Sequence, residues 1–384
     1  MKPLIIALLC SLLCVPTLSA HAEPHDGALR DDSISTAPQK NQKIRRLGYV
    51  EGGDYADYPL TLAAIVAGLQ ELSWLNLPHD PPVDLRGEEL WQWLAQHAQS
   101  DYLEFVPDAY WRPGNFDSSQ RAQLREQLHH RFTEQHDLDL LIAMGTWAGQ
   151  DLRQLGPPIP VVVASTSDAV ASGIVDSALD SGKDNLHARV EPERYQRQLS
   201  LFHQIVPFTS LGVVYEDSDE GRSYAAWEAV NEVSQALGFS VVPCHAPASN
   251  ISTEQASQYA LQCYQQLAEQ DVEAVYITTH QGVHAGTIKQ IADILSHAGI
   301  PSFSMAGAAD VKQGILLSMA QASMSSLGRF HAEVIARILN GASPRSLTQI
   351  WVDPAKIALN LRTARQIGFD PPIDILLAAD EVFR

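Results

Sequence analysis

The sequence has few cysteines, few basic residues and none of the short motifs that mark common catalytic sites. Its 384 residues include four cysteines, and no two of them form a C-x-x-C pair. This spacing argues against zinc-ribbon and dithiol redox chemistry. Lysine and arginine together number 26 against 45 acids, giving a formal net charge of −19. Such an acidic chain is not expected to bind nucleic acid or dock on anionic lipid.

Catalytic and cofactor signatures are missing as well. The sequence contains no G-x-S-x-G, no Walker A motif and no G-x-G-x-x-G after a predicted strand. Acids and histidines are numerous, but their spacing identifies no nucleophile with a base and an orienting group. We therefore expect no enzymatic activity, no cofactor and no metal, with an enzyme built on the same fold as one alternative.

The only long apolar run lies at the N-terminus. Lys2 precedes the apolar residues 4–15, LIIALLCSLLCV, and Ala20-His21-Ala22 forms an A-x-A site. This is the pattern of a secretory signal peptide, residues 1–22, cleaved after Ala22 and too short to span a bilayer. A buried N-terminal helix or a lipoprotein signal is the alternative. We expect a periplasmic chain with no membrane insertion after cleavage.

Beyond the cleavage site, residues 23–43 are polar and lack apolar periodicity, which predicts a disordered leader. Cys244 and Cys263 are then the two remaining cysteines. An oxidising compartment permits a disulfide between them. The alternative of two small buried thiols stays open.

A phrase that occurs twice indicates two similar lobes. Residues 47–55 read LGYVEGGDY and residues 211–219 read LGVVYEDSD, each an apolar run followed by an acidic loop and an amphipathic pattern. Strands and helices alternate along the chain, and continuous apolar runs such as residues 139–144 indicate parallel strands covered on both faces. The predicted fold is α/β, with two Rossmann-like lobes and a ligand cleft between them.

The predicted boundaries assign residues 44–168 and about 309–342 to lobe 1, and residues 169–308 and about 343–384 to lobe 2. Further predicted elements include helices at 221–237 and 283–298 and a strand near 348–352. Residues 76–100 fit no element securely apart from a helix around Trp91 and Trp93, and they look like an insertion.

The order of these elements resembles the type I periplasmic substrate-binding proteins of ABC transporters, over about residues 44–382. The subfamily it most resembles is usually described as uncharacterised, and some members bind amino acids such as tryptophan. The segments that carry the resemblance are LLIAMGTWAGQ (140–150), VVVASTSDAVASGIV (161–175), RYQRQLSLFHQIVPFTSLGVVYEDSD (194–219), VYITTHQGV (275–283) and the tail at 358–383.

The resemblance implies a non-catalytic protein that closes on a small solute and then docks on an ABC permease of the inner membrane. The same fold also serves proteins that sense a ligand and signal to a membrane receptor kinase or cyclase. Sequence does not separate transport from sensing, so the sensing function remains as an alternative.

In open α/β sheets, ligands bind at the carboxyl ends of the strands, and the resemblance selects the same loops. The candidate ligand contacts are Tyr55, Tyr58, Gly145, Thr146, Trp147, Ser165, Thr166, Asp168, Glu216, Asp217, Thr278, Thr279, His280 and Met305. We expect an amino acid or derivative, with its carboxylate at the helix N-terminus beside Thr146 and its amine near Asp168 or Asp217. The alternative to ligand contact is a structural role for each residue. Thr146 would cap a helix and Asp168 would cap a turn.

His280 and His284 are spaced i, i+4, which on one helix face would form half of a metal site. The sequence offers no HExxH motif and no evident third ligand. We favour ligand contact or helix capping for His280 over metal binding.

Overall fold

The chain forms two α/β lobes, each built on a mostly parallel sheet, which confirms the predicted fold class. The computed structural model describes residues 31–40, 43–270, 272–320, 324–352 and 356–384. The predicted signal peptide and residues 23–30, 41 and 42 of the predicted leader lie outside these ranges. In the described part of the chain, no helix combines the length and the apolarity that crossing a bilayer requires.

The first lobe contains a five-stranded parallel sheet. Its strands are β1 (Arg45–Glu51), β2 (Leu103–Trp111), β3 (Leu140–Met144), β4 (Val161–Ala164) and β5 (Leu186–Ala188), in the order β2-β1-β3-β4-β5. Its helices are α1 (Asp57–Glu71), α2 (Gly87–His97), α3 (Arg121–His130) and α4 (Thr146–Leu155). Every residue of β3 is buried, and alternate residues pack into two separate cores. The continuous apolar run therefore reflects a sheet covered on both faces.

The second lobe contains a seven-stranded sheet in the order β12-β11-β10-β9-β8-β6-β7. Its strands are β6 (Ser210–Tyr215), β7 (Ser240–His245), β8 (Ala274–Ile277), β9 (Ser302–Ser304), β10 (Leu317–Ala320), β11 (Lys356–Asn360) and β12 (Ala379–Phe383). The helices that follow α4 in the chain are α5 (Arg194–Ile205), α6 (Asp219–Tyr224), α7 (Trp227–Leu237), α8 (Thr253–Glu269), α9 (Ile288–His297), α10 (Ala308–Lys312), α11 (Met324–Leu339), α12 (Leu361–Gln366) and α13 (Ile373–Ala378). Strands β10 and β11 pair antiparallel.

Helix α11 returns to the first lobe and packs against α1. Two glycines make the close crossing possible: a Cβ on Gly328 would lie 2.6 Å from Ala64 Cβ, and one on Gly68 would lie 2.7 Å from Ala332 Cβ. Ile335 of α11 is fully buried in the same core as Ile65 of α1. The first lobe is therefore completed by a helix that follows most of the second lobe in sequence.

The strands place the lobe boundaries differently from the sequence prediction. Strand β5, at residues 186–188, pairs with β4 of the first sheet, so the predicted boundary at residue 168 falls inside lobe 1. Strand β10, at 317–320, pairs with β9 of the second sheet, so residues 309–320 do not belong to lobe 1. The three-residue β5 has too short an apolar run to be recognised as a strand from sequence.

The two described crossings between the lobes run side by side. Val190 N–H donates to the Gln349 carbonyl at 2.8 Å, and Trp351 N–H donates to the Val190 carbonyl at 3.1 Å. This single bridge between Val190 and Ile350 replaces the strand predicted near 348–352. The two crossings therefore share a short backbone pairing rather than a strand.

Two predicted helices also begin or break elsewhere. The helix predicted at 221–237 is two helices, because Ala226 adopts a left-handed conformation with φ 50° between α6 and α7. The helix predicted at 283–298 begins only at Ile288. Before it, the Thr287 hydroxyl donates to the Gly282 carbonyl at 2.8 Å and holds a turn instead.

The described part of the predicted disordered leader is held against the first lobe. Asn340 Nδ2 donates to the Ser35 carbonyl at 2.7 Å, and Trp74 Nε1 donates to the Thr36 carbonyl at 2.7 Å. The Thr348 hydroxyl donates to the carboxylate of Asp32 at 2.6 Å. The prediction of disorder is wrong for these residues. The hydrogen bonds that order them are accepted mostly by backbone carbonyls, which the pattern of side chains in the sequence does not reveal.

Cys244 of β7 and Cys263 of α8 form a disulfide, with their Cα atoms 5.6 Å apart. The bond closes a loop of sequence separation 19. A loop of this length constrains the unfolded chain by about 3 kcal/mol in the chain-entropy model. We expect reduction to lower the free energy of unfolding by about that amount, as measured by urea denaturation with and without dithiothreitol. The double variant Cys244→Ala/Cys263→Ala is the control, and an equal response to reductant in that variant would contradict the assignment.

Candidate functional site

The carboxyl ends of the two sheets lie on either side of one cleft, and the lobes touch at its edges. The Ser118 hydroxyl of the first lobe donates to Asn250 Oδ1 of the second at 2.8 Å. The Tyr195 hydroxyl donates to the Ser167 carbonyl at 2.8 Å. The first contact joins the segments that precede α3 and α8, and the second joins α5 to the loop after β4. The cleft is therefore bounded by segments of both lobes.

On the first-lobe side, helix α4 begins at the wall of the cleft. Gly145 has φ 89° and ψ 171°, and Thr146 and Trp147 follow as the first helical residues. A Cβ at Gly145 would lie 2.5 Å from Tyr58 Cζ and closer still to the hydroxyl. The N–H groups of Thr146 and Trp147 precede the first intrahelical bond, which runs from Gly149 to Gly145. Glycine at position 145 thus brings the Tyr58 hydroxyl next to the positive end of this helix.

Tyrosines from both lobes share the cleft. The rings of Tyr55 and Tyr58 meet edge to face, 5.2 Å apart. Burial raises the pKa of Tyr58, and the nearby Tyr224 of the second lobe raises it further. Burial likewise raises the pKa of Tyr55, helped by Asp57 and by Tyr195 of α5. The predicted walls Tyr55 and Tyr58 therefore face two tyrosines, Tyr195 and Tyr224, that the sequence analysis did not select.

Two carboxylates that the sequence analysis missed face each other across the cleft. Asp57 is exposed, but the surrounding protein raises the pKa of its carboxyl, while Arg194 lowers it. Burial raises the pKa of Asp310, the hydrogen bond from Ser304 lowers it, and Asp57 raises it again. The Ser304 hydroxyl donates to Asp310 at 2.6 Å. Asp310 lies in α10, directly after β9 and the loop that contains Met305, so its position after a buried strand was a usable signal.

Thr146 remains at the cleft, whereas Trp147 packs within the first lobe. The Thr146 side chain hydrogen bonds to Tyr224, which works against the burial that raises the pKa of Tyr224. The guanidinium of Arg121 lies 4.6 Å from the centre of the Trp147 ring, and Phe116 meets that ring edge to face at 5.6 Å. These contacts agree with a packing role for Trp147, which is the simpler of the two roles that the sequence suggested.

In the loop after β8, the side chains of Thr278 and His280 are hydrogen bonded to the backbone. His280 is buried, its Nε2 donates to the Ala246 carbonyl at 3.0 Å, and its Nδ1 accepts from Gly282 N–H at 2.9 Å. Burial lowers the pKa of His280, which favours the neutral ring. The buried Thr278 hydroxyl donates to the Val214 carbonyl at 2.6 Å. Both side chains are therefore buried and tied to the backbone.

Met305 and Thr279 lie next to each other in the same region. Met305 is 2% exposed and belongs to the second-lobe core. Its sulfur accepts a hydrogen bond from Thr279 N–H at 2.8 Å. The structure therefore gives Met305 a packing role, while the side chain of Thr279 is partly exposed.

The acids predicted in the loop after β6 are also engaged elsewhere. Burial would raise the pKa of Glu216, but hydrogen bonds led by that of Ser249 hold it below its usual value. Glu216 accepts from the Ser249 hydroxyl at 2.6 Å and from the N–H groups of Ala248 and Ser249. Asp217 is exposed and pairs with Arg222. These carboxylates order their own loops.

Asp168 caps a turn. Its Oδ1 accepts from the N–H groups of Val170 and Ala171, each at 2.9 Å. This is the simpler role that such residues take after a strand. The neighbouring Ser165 and Thr166 are partly exposed, and Ser165 has a left-handed φ of 57°.

The predicted alternative of a metal at His280 and His284 is not supported. The two residues lie on turns before α9, not on one helix face. His284 Nε2 contacts the Ser257 hydroxyl at 2.9 Å, and its Nδ1 accepts from Gly286 N–H at 3.0 Å. Within the described ranges, no group of three or more histidine, cysteine, aspartate or glutamate side chains is arranged to hold a metal ion.

Comparisons with known proteins bear on the family and on the fold. The family model described as ABC transporter substrate binding protein matches residues 115–383. A solved ABC domain from Streptococcus pneumonia in complex with L-Trp is 18% identical, with a TM-score of 0.66, covering 89% of this chain and 100% of that one.

Two further solved structures are similar. A conserved domain protein from Vibrio cholerae is 20% identical, with a TM-score of 0.64 and coverage of 88% of this chain and 100% of that one. An open, ligand-free substrate binding protein with adhesive properties from Clostridium difficile is 18% identical, with a TM-score of 0.57 and coverage of 89% and 99%. No curated protein matches the sequence significantly.

Proposed function

The chain belongs to the family of ABC transporter substrate-binding proteins, and from this premise we propose that it captures an amino acid or a derivative for an ABC importer. The solute is held between the lobes, and the closed form docks on a permease in the inner membrane. The proposal includes export to the periplasm, with the signal peptide removed after Ala22.

The observation that carries the ligand proposal is the charge pattern at the cleft, where two carboxylates and the positive end of a helix are present together. Asp57 belongs to the first lobe and Asp310 to the second, and Asp57 is close enough to raise the pKa of Asp310. The N–H groups at the start of α4 provide a positive end on the first lobe. A zwitterion is complementary to this arrangement, with its ammonium at the two carboxylates and its carboxylate beside Thr146.

The walls of the cleft suit an apolar or aromatic side chain. Tyr55, Tyr58, Tyr195 and Tyr224 present rings together with hydroxyls, so they can exclude water while hydrogen bonding to polar groups of the solute. We therefore assign the contact with the ligand amine to Asp57 and Asp310. The sequence analysis had assigned it to Asp168 or Asp217.

The first experiment is a thermal-shift panel on protein stripped of ligand by unfolding and refolding. A solute at a hundred times its Kd should stabilise the protein by about 2.7 kcal/mol. Amino acids should shift the melting temperature, and sugars and simple carboxylates should not. A panel in which only a sugar or another neutral solute responds would overturn the proposed ligand class.

The second experiment tests the amine contact. We expect Asp57→Asn and Asp310→Asn each to weaken binding of the responding amino acid roughly ten- to hundredfold, because a charged hydrogen bond is lost. Isothermal titration calorimetry gives the Kd. Asp293→Asn is the matched control, since Asp293 pairs with Lys289 on the outside of α9.

An analogue that lacks the amino group makes the amine test specific. It should bind the wild type weakly, and Asp57→Asn should change its affinity little. Equal weakening of amino acid and analogue by Asp57→Asn would instead indicate a change of cleft shape and would remove Asp57 as the amine contact.

A further inference from the structure

Two histidines flank a tryptophan on the outer surface of the first lobe, away from the cleft. His79 lies in the segment before α2, and Trp93 and His97 lie one turn apart on α2. The Trp93 and His97 rings stack with centroids 4.4 Å apart, and the His79 ring centroid lies 5.4 Å from Trp93 and 6.0 Å from His97. The segment lies outside the residues matched by the family model.

Backbone hydrogen bonds set the tautomer of both rings. His79 Nδ1 lies 3.0 Å from the Asp80 carbonyl, and His97 Nδ1 lies 2.8 Å from the Trp93 carbonyl. A carbonyl only accepts, so each Nδ1 carries the proton and each Nε2 keeps its lone pair in the neutral ring. An Nδ1–H bond to a backbone carbonyl is the arrangement that orients metal-binding histidines.

The spacing of the rings is compatible with one shared ion. A metal about 2.0–2.1 Å from each Nε2 puts two imidazole centroids roughly 5 to 6 Å apart, and these centroids are 6.0 Å apart. His79 is exposed and His97 partly exposed, so a small rotation of His79 is not opposed by packing. Water can fill the remaining positions around the ion.

The local charge favours a cation. Asp80 follows His79 directly, and Glu88 and Glu89 line an open groove with Trp93, whose lining contains neither histidine. Imidazole ligands without thiolate suit late first-row divalent ions, with Cu²⁺ bound more tightly than Ni²⁺ or Zn²⁺.

We propose that His79 and His97 form a surface site for a divalent late first-row transition-metal ion, with Trp93 stacked against one ligand. The site has two protein ligands and is independent of the solute cleft. It gives the segment before and within α2 a binding role of its own.

The test titrates the chelator-treated full chain with Cu²⁺, Ni²⁺ and Zn²⁺ by calorimetry, with Mg²⁺ as the hard-ion control. We expect His79→Gln and His97→Gln each to weaken binding at least about tenfold. The double variant should lose the binding event. His129→Gln is the matched control, because His129 is an exposed histidine on α3.

Location is checked by fluorescence. Cu²⁺ bound beside Trp93 should quench part of the tryptophan emission, and Trp93→Phe should remove that part while the calorimetric Kd is retained. The proposal is overturned if the wild type binds none of the three ions, or if the double variant binds them as the wild type does.

Discussion

Replacement of Gly145 by alanine should destabilise the protein by roughly 3 kcal/mol or more and should also weaken solute binding. The backbone at Gly145, with φ 89° and ψ 171°, lies in a region that is essentially restricted to glycine, at a cost of about 1–3 kcal/mol for other residues. The added methyl group would also stand 2.5 Å from Tyr58 Cζ. Tyr58 is buried in the first-lobe core, so it cannot move aside without disturbing the packing there.

Urea denaturation and calorimetric titration with the responding solute measure the two effects. The matched control is Gly156→Ala at the other end of α4. Gly156 also has a positive φ, 61°, but its added Cβ would meet no atom within 4 Å. That control should cost only about 1 kcal/mol and leave affinity unchanged. If the two substitutions lowered the free energy of unfolding equally, the position of Tyr58 would not depend on glycine at residue 145.

Acidification from pH 6.5 to pH 4 should destabilise the first lobe by more than about 3 kcal/mol, owing to two buried histidines. His187 and His331 are both fully buried. Burial lowers the pKa of His187 from 6.5 to about 4 and lowers the pKa of His331 as well, with Arg189 and His187 adding to the effect. The nearby Asp32 acts in the opposite direction on His187.

The direction of the change in stability with pH follows from proton binding by the folded and unfolded chains. Between pH 6.5 and 4 the unfolded chain binds a proton at His187 and the folded chain does not, so stability is complete above about pH 6.5 and falls as the pH is lowered. A pKa difference of about 2.5 units corresponds to roughly 3 kcal/mol. His331, which has no hydrogen-bond partner for either ring nitrogen among the described residues, adds to this.

Urea midpoints measured from pH 7.5 to pH 4 test the effect. His331→Leu should be tolerated at neutral pH and should give a shallower loss of stability in acid, because one buried titrating group has been removed. His129→Leu, at an exposed position on α3, should keep the wild-type slope. A His331→Leu profile parallel to that of the wild type would contradict the assignment.

The sequence predicted the elements that carry a continuous apolar run. Strands β3 and β4 are buried throughout, and their composition alone sets them apart. Strand β12 has no buried residue and lies at the edge of its sheet, and β5 has three residues. Neither carries enough apolar periodicity for recognition.

The site was predicted less well than the fold, for a physical reason. The rule that ligands meet the carboxyl ends of strands selects loops from the sequence, but backbone hydrogen bonds decide which side chains in a loop remain free. His280 gives both ring nitrogens to the backbone, and Glu216 binds two N–H groups. Asp57 and Asp310 become neighbours only because the two lobes close on each other.

The packing of α11 on α1 has a consequence for biosynthesis. The apolar side of α1, including Leu62 and Ile65, is covered by a helix that begins at Met324. A chain emerging from the ribosome or from a translocon therefore has to carry this uncovered face until nearly all of the second lobe has been made. Contacts so distant in sequence are slow to form, and exposed apolar faces favour aggregation in the meantime. Nascent chains that stop short of α11 are thus natural clients for a holding chaperone.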